Sequence, residues 1–254
     1  MINVLRSEWI KLRTVRMNWI LGTVAFAFPL IVTLLTAFFS GDNPSFDAQQ
    51  LLEILTGTAI VSTLLCGVVA AASITSEFGF GTIRPTFAAV PRRWRVVVAK
   101  GIIAVTFAMA LLATVVLIGA FVGRALAEGQ GANITFREVP GTASALLGVV
   151  VLAGLMSVAG YGLGLITRST PAAIAILIVW PLIAEGLIGG LISVITGWEN
   201  VVGWMPFQAG IRLVFVETQS HLSGPTRLVA GLYFGGVAAL LAAIGAFAVN
   251  RRDA

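Results

Sequence analysis

Charge is what this sequence has least of. Only 11% of its 254 residues are Asp, Glu, Lys or Arg, 58% are hydrophobic, and mean hydropathy is +0.98. A soluble domain carries about 25% charged residues, so this chain lacks the polar surface needed to face water. Its solvent is a bilayer, crossed by apolar helices. Histidine occurs once, as His221, and cysteine once, as Cys66. A single thiol excludes an internal disulfide and leaves the redox compartment open. With no HExxH and no Cys–His cluster, there are no donors for a metal site. The only lysines are Lys11 and Lys100, and neither completes the GxxxxGK[ST] loop that cradles nucleotide phosphates. Gly79-Phe80-Gly81 is a lone GxG. No cofactor is therefore expected on this chain, and any ATP and Mg2+ chemistry must come from another polypeptide. Intramembrane enzymes concentrate ionisable groups within their spans. Here only Glu185 lies well inside one, so the chain itself is not expected to be an enzyme.

What the sequence does have is apolar runs of spanning length. They are Trp19 to Phe39, Leu51 to Thr75, Val96 to Gly123, Thr142 to Ile166, Pro171 to Thr196 and Leu228 to Val249. The expected fold is an all-α integral membrane protein of six transmembrane helices, residues 1–254 forming one transmembrane domain. The basic residues before Trp19, and the lack of a small-residue cleavage site after the first run, argue against a cleavable signal peptide.

The few charges are unevenly placed. With the N-terminus on one side, that side holds Arg6, Lys11, Arg13, Arg16, Arg84, Arg92, Arg93, Arg95, Lys100, Arg168, Arg251 and Arg252. The other side holds Arg124, Arg137, Arg212 and Arg227. The positive-inside rule makes the richer side cytoplasmic. Both termini are expected there, in a multi-pass protein of the plasma or inner membrane. The net charge of +5 is then an insertion signal and calls for no nucleic acid.

Two cytoplasmic segments stand out. Residues 1–18 read as a basic amphipathic helix, with Ile2, Leu5, Trp9, Leu12 and Arg16 on one stripe and Arg6, Lys11 and Arg13 mainly off it. Trp9 and Trp19 suit the headgroup layer. Residues 76–95, in TSEFGFGTIRPTFAAVPRRWR (Thr75 to Arg95), form the largest internal loop. Pro85 suits the first turn of a short helix, Ile83, Phe87 and Val90 share a face, and Pro91 ends it. An apolar knob fringed by arginines fits a groove in a soluble partner.

The chain resembles the ABC type-2 (ABC-2) permease family, the membrane subunits of exporters whose ATPase is a separate chain. The resemblance rests on SEWIKLRT (Ser7 to Thr14), SEFGFGTIRPTF (Ser76 to Phe87), PRRW (Pro91 to Trp94) with Lys100, and WMPFQAG (Trp204 to Gly210). It implies that the loop between spans two and three carries a coupling helix seated on the ATPase. Glu77, Gly81, Thr82, Ile83 and Arg84 would form the docking element, with Pro91, Arg92 and Arg93 closing it. It also implies separate ATPase subunits, two in number, and a second permease as homodimer or heterodimer partner. The segment 197–227 would dip back into the outer leaflet and cap a substrate cavity.

Glu185 follows Trp180-Pro181, where a kink is expected. It either lines the translocation route or serves as a structural partner for backbone and hydroxyl groups. The GxxxG spacings at Gly119, Gly160, Gly186 and Gly231 are no more than 28 glycines give by chance, and carry no argument for dimerisation. The expected function is ATP-driven export of a hydrophobic or amphiphilic substrate such as a drug, lipid or peptide. Its rivals are a secondary transporter, which should carry ion-coupling residues and inverted repeats, and a non-transporting assembly or immunity protein.

Overall fold

The computed structural model describes residues 2–42, 45–82, 93–198, 200–215 and 224–252. All regular structure among the described residues is helical. An N-terminal helix α1 (Ile2–Thr14) precedes the first span, α2 (Arg16–Phe38). The second span is α3 (Ala48–Gly79), the third α4 (Arg93–Gly129) and the fourth α5 (Thr142–Thr167). The fifth is interrupted: α6 (Thr170–Val179) runs through a π-helical turn, Trp180–Ala184, into α7 (Glu185–Thr196). A short helix α8 (Pro206–Ile211) precedes the sixth span, α9 (Arg227–Arg252).

All six expected spans are present, and six helices are long and apolar enough to cross a membrane. Several are longer than their apolar cores suggested, because polar residues at their ends extend them. Asp47 starts α3 three residues before Leu51 by accepting the Gln50 N–H at 2.9 Å, an N-cap that hydropathy does not register. At the close of α5, Arg168 takes a left-handed conformation (φ 54°), and its guanidinium lies 4.9 Å from the Phe78 ring centre. The chain reverses there within two residues into α6.

The second and fourth spans form the centre, 67% and 56% buried, against 22–33% for the other four. Their crossing is a backbone contact. A Cβ placed on Gly160 would stand 2.2 Å from the Gly67 carbonyl oxygen. On its other flank α5 meets the sixth span equally closely, a Cβ on Gly162 falling 2.5 Å from the Ala242 nitrogen. Small residues thus replace burial of bulk as the packing device, as expected where lipid supplies no hydrophobic drive between helices. The peripheral spans turn large apolar side chains outward, among them Leu182, Leu187, Leu191 and Val194.

Val4, Val96, Val97, Tyr161 and Val249 pack together, so both ends of the chain lie at one end of the bundle, called here the terminal end. At the opposite end Ala37, Phe46, Leu51, Ala127 and Ile134 close the connections between spans one and two and between three and four.

Candidate functional site

Two polar centres interrupt the apolar interior. The first, at the terminal end, is built from α1, the last turns of α3 and the first turns of α4. Glu8 and Lys11, three residues apart, share one face of α1. Glu77 ends the second span and Lys100 begins the third. Lys11 Nζ donates to Glu8 Oε1 at 2.8 Å and to Glu77 Oε1 at 2.9 Å. Lys100 Nζ donates to Glu77 Oε1 at 3.0 Å and pairs with Glu8 Oε2. Two acids and two bases close a ring with no net charge.

Glu8, Glu77 and Lys100 are 3%, 7% and 6% exposed, so the ring is an interior feature rather than a surface ion pair. Burial works against the Lys11 ammonium. Its hydrogen bonds to Glu8 and Glu77, and the attraction of both carboxylates, outweigh that cost and hold its pKa above the usual lysine value. A cleft of about 280 Å3 opens beside the ring, walled by Asn18, Ser73, Ser76, Phe80, Thr82 and Ile103 as well as the charges themselves.

This centre reorders the expected docking residues. Glu77 is present, with its carboxylate enclosed between two lysines of the same chain. Gly81 leaves α3 through a left-handed turn (φ 68°), and Thr82 follows it, exposed, with its hydroxyl 3.5 Å from the Glu77 carbonyl. Arg93 opens α4. Ile83, Arg84, Pro91 and Arg92, and with them the expected short helix, lie outside the described residues.

Two members of the ring, Glu8 and Lys100, were not among the predicted site residues. The available signal was slight: Glu8 is the sole acid in a cationic segment, one helical turn from Lys11. The inward face of α1 carries Glu8 as well as Leu12. Both are buried, while Lys11 reaches the ring with its side chain still 41% exposed, much like Trp9 at 40%. Pairing with Lys100 holds the Glu8 carboxylate in the interior. Trp9 and Trp19 remain outward, as interfacial side chains do, and Arg13 is exposed with its guanidinium 6.0 Å from the Trp9 ring centre.

The second centre is Glu185, fully buried at 0% exposure. Its carboxylate accepts the Phe207 N–H at 2.8 and 3.1 Å through its two oxygens, and the Gln208 N–H at 2.9 Å. Trp180 Nε1 donates to the same group at 3.0 Å. The expected irregularity at Pro181 is the π turn. Proline supplies no N–H for the ladder, and the wider turn sets Trp180 and Glu185 at the five-residue spacing that faces them to each other. Glu185 then does for α8 what an N-cap residue does, satisfying N–H groups of its first turn.

The segment so held is deeply packed. Phe207 stacks edge-on to Phe234 at 6.4 Å, and Ala209 and Val214 are inaccessible. Beside it lies an apolar cavity of about 290 Å3, lined by Leu163, Ile176, Leu177, Val237 and Leu241 with Glu185 at its wall. Among the described residues, no three His, Cys, Asp or Glu side chains gather as metal ligands would.

In comparison with known proteins, the sequence model of a family described as "ABC-2 family transporter protein" matches residues 4–203 of this chain. That stretch contains all but the first two residues of α1, both charged centres' acids and the first five spans. No curated protein and no solved structure matches the chain.

Proposed function

The chain belongs to the ABC-2 family of transporter proteins, and from that premise we propose that it is the permease subunit of an ATP-driven exporter. Two separate ATPase subunits supply ATP and Mg2+ chemistry, and a second permease, identical or homologous, completes the path. Both termini are cytoplasmic, so the terminal end of the bundle faces the ATPases.

One observation carries this reading: the ring of Glu8, Lys11, Glu77 and Lys100. It joins three elements that surround the segment proposed to dock on the motor. Glu77 stands four residues before Gly81, and Lys100 lies two turns into the helix that follows the segment. A displacement of residues 81–93 would therefore be felt by spans two and three and by α1 together, rather than being lost in a hinge. Arg84, Arg92 and Arg93 supply charge toward the partner, while Glu77 acts behind them as a positioning residue. The apolar cavity beside Glu185 supports a hydrophobic or amphiphilic substrate. The four hydrogen bonds on that carboxylate favour its structural role over substrate contact.

Copurification tests the proposal. The wild-type chain should retain a stoichiometric ATPase, and Arg84→Glu, or deletion of 79–93, should release it while the six-span protein remains in the membrane. A chain that transports without any ATPase would overturn the reading.

A further inference from the structure

A third concavity is used by neither centre. It lies on the side of the bundle between α1, α2 and α4, with a volume of about 450 Å3, within the ~300–1,000 Å3 range of small-ligand clefts. Its mouth is formed by Trp9, Arg13 and Trp19, and its floor by Gly22, Phe26 and Phe107. A Cβ on Gly22 would stand 3.2 Å from the Phe107 ring, so the absence of a side chain there keeps the floor open.

Among the residues lining the cleft Arg13 is the one charged side chain, with Asn18 and Thr23 as neutral polar ones. Arg13 is exposed, and among the described residues no carboxylate pairs with it. Its guanidinium is steadied over Trp9, and the Trp19 indole N–H donates to the Arg13 carbonyl, tying the mouth together. From Trp19 to Phe26 the floor descends about 10 Å along the helix at 1.5 Å per residue.

The electrostatics follow from the charge ring. Glu8 is the only acid of α1, and it is withdrawn into the interior and matched by lysines. What α1 and its junction with α2 leave exposed is cationic: Arg6, Arg13 and Arg16. Outside the cleft, α2 continues with exposed Ile20, Val24 and Ile31, the kind of surface that acyl chains cover. A ligand entering from that side is itself a bilayer component.

We propose that this cleft is a binding site for one anionic phospholipid, its phosphate on Arg13 and one acyl chain over Gly22 against Phe26 and Phe107. The bound lipid fastens α1 to the bundle next to the cleft of the charge ring, with which this site shares Leu12 and Asn18. The proposal does not depend on the exporter reading, because it concerns only α1, α2, α4 and the bilayer.

Native mass spectrometry of the full chain, released from micelles supplemented with phosphatidylglycerol or phosphatidylcholine, tests it. The wild type should retain one phosphatidylglycerol per chain in preference to phosphatidylcholine by about fivefold, the increment of one basic group near an anionic headgroup. Arg13→Gln should abolish the preference and Arg13→Lys should keep it. Thr23→Phe, on an exposed wall position, should reduce retention of both lipids without lowering thermal stability. Arg6→Gln, outside the cleft, should change nothing. Equal retention of the two lipids by wild type would overturn the site. So would a preference lost equally in Arg6→Gln and Arg13→Gln, which would mark diffuse attraction to the annulus.

Discussion

Glu8 and Lys100 are buried charges, and each is tolerable only because the other three members of the ring are present. Removing one member of a buried pair leaves an uncompensated charge, at a cost of about 3–5 kcal/mol. Glu8→Gln should therefore destabilise the protein by about 3 kcal/mol and free α1 for proteolysis. Adding Lys100→Gln should recover part of the loss by restoring neutrality. Thermal denaturation of the single and double variants in detergent checks both outcomes, and additive losses would show that the ring is not one unit. Glu185 makes a different case. Glu185→Gln keeps the shape but turns an amide toward the Trp180 Nε1–H or the Gln208 N–H, so one donor loses its acceptor at a cost of about 1–3 kcal/mol. Protease cleavage of 201–215 should rise. Transport should fall only as far as that segment loosens, with unchanged discrimination between substrates. A change of substrate preference at normal stability would place Glu185 on the route after all.

Between elements, close approach does the packing. The crossing of α3 and α5 brings the Gly160 Cα against the Gly67 carbonyl, and there is no flexible side chain to give way. Gly160→Ala should cost about 1–3 kcal/mol as overpacking against backbone. Gly57→Ala, on the same α3 but with nothing within 4 Å, should be neutral or slightly stabilising through helix propensity. Paired melting curves make the comparison. The Gly160/Gly164 spacing, which sequence statistics cannot distinguish from chance, is thus occupied inside one chain. The π turn at Trp180 is likewise an element-scale event. Pro181 announces a defect, but the defect becomes a site only because Glu185 meets the first turn of α8, from a segment more than twenty residues on.

At the scale of the whole molecule, the fold places its buried ion-pair ring at the terminal end and its closest packing along the second and fourth spans. A push delivered to the ends of spans two and three reaches the centre of the bundle directly, since α3 is the most buried span. The peripheral spans, by contrast, present mostly apolar side chains to lipid. On the exporter reading, loss of the ATPase on Arg84→Glu should leave this frame intact, because no described packing depends on residues 83–92.

Six spans, the uneven distribution of basic residues and the missing nucleotide loop were all determined by sequence alone. The first two depend on composition over a window, which a bilayer reads directly, and the third on a short contiguous motif. Pro181 as a break was legible too, because its effect reaches only a few residues along the chain, whereas the Asp47 cap appeared only in the structure. The ring of Glu8, Lys11, Glu77 and Lys100 was not, nor was the capture of α8 by Glu185. The pairs that cross between elements are separated by about twenty to ninety positions, and hydropathy is blind to which helices become neighbours. Only tertiary packing decided that Glu8 turns inward, where Lys100 meets it. The cost of burying a charge can be met only by an opposite charge that another helix brings.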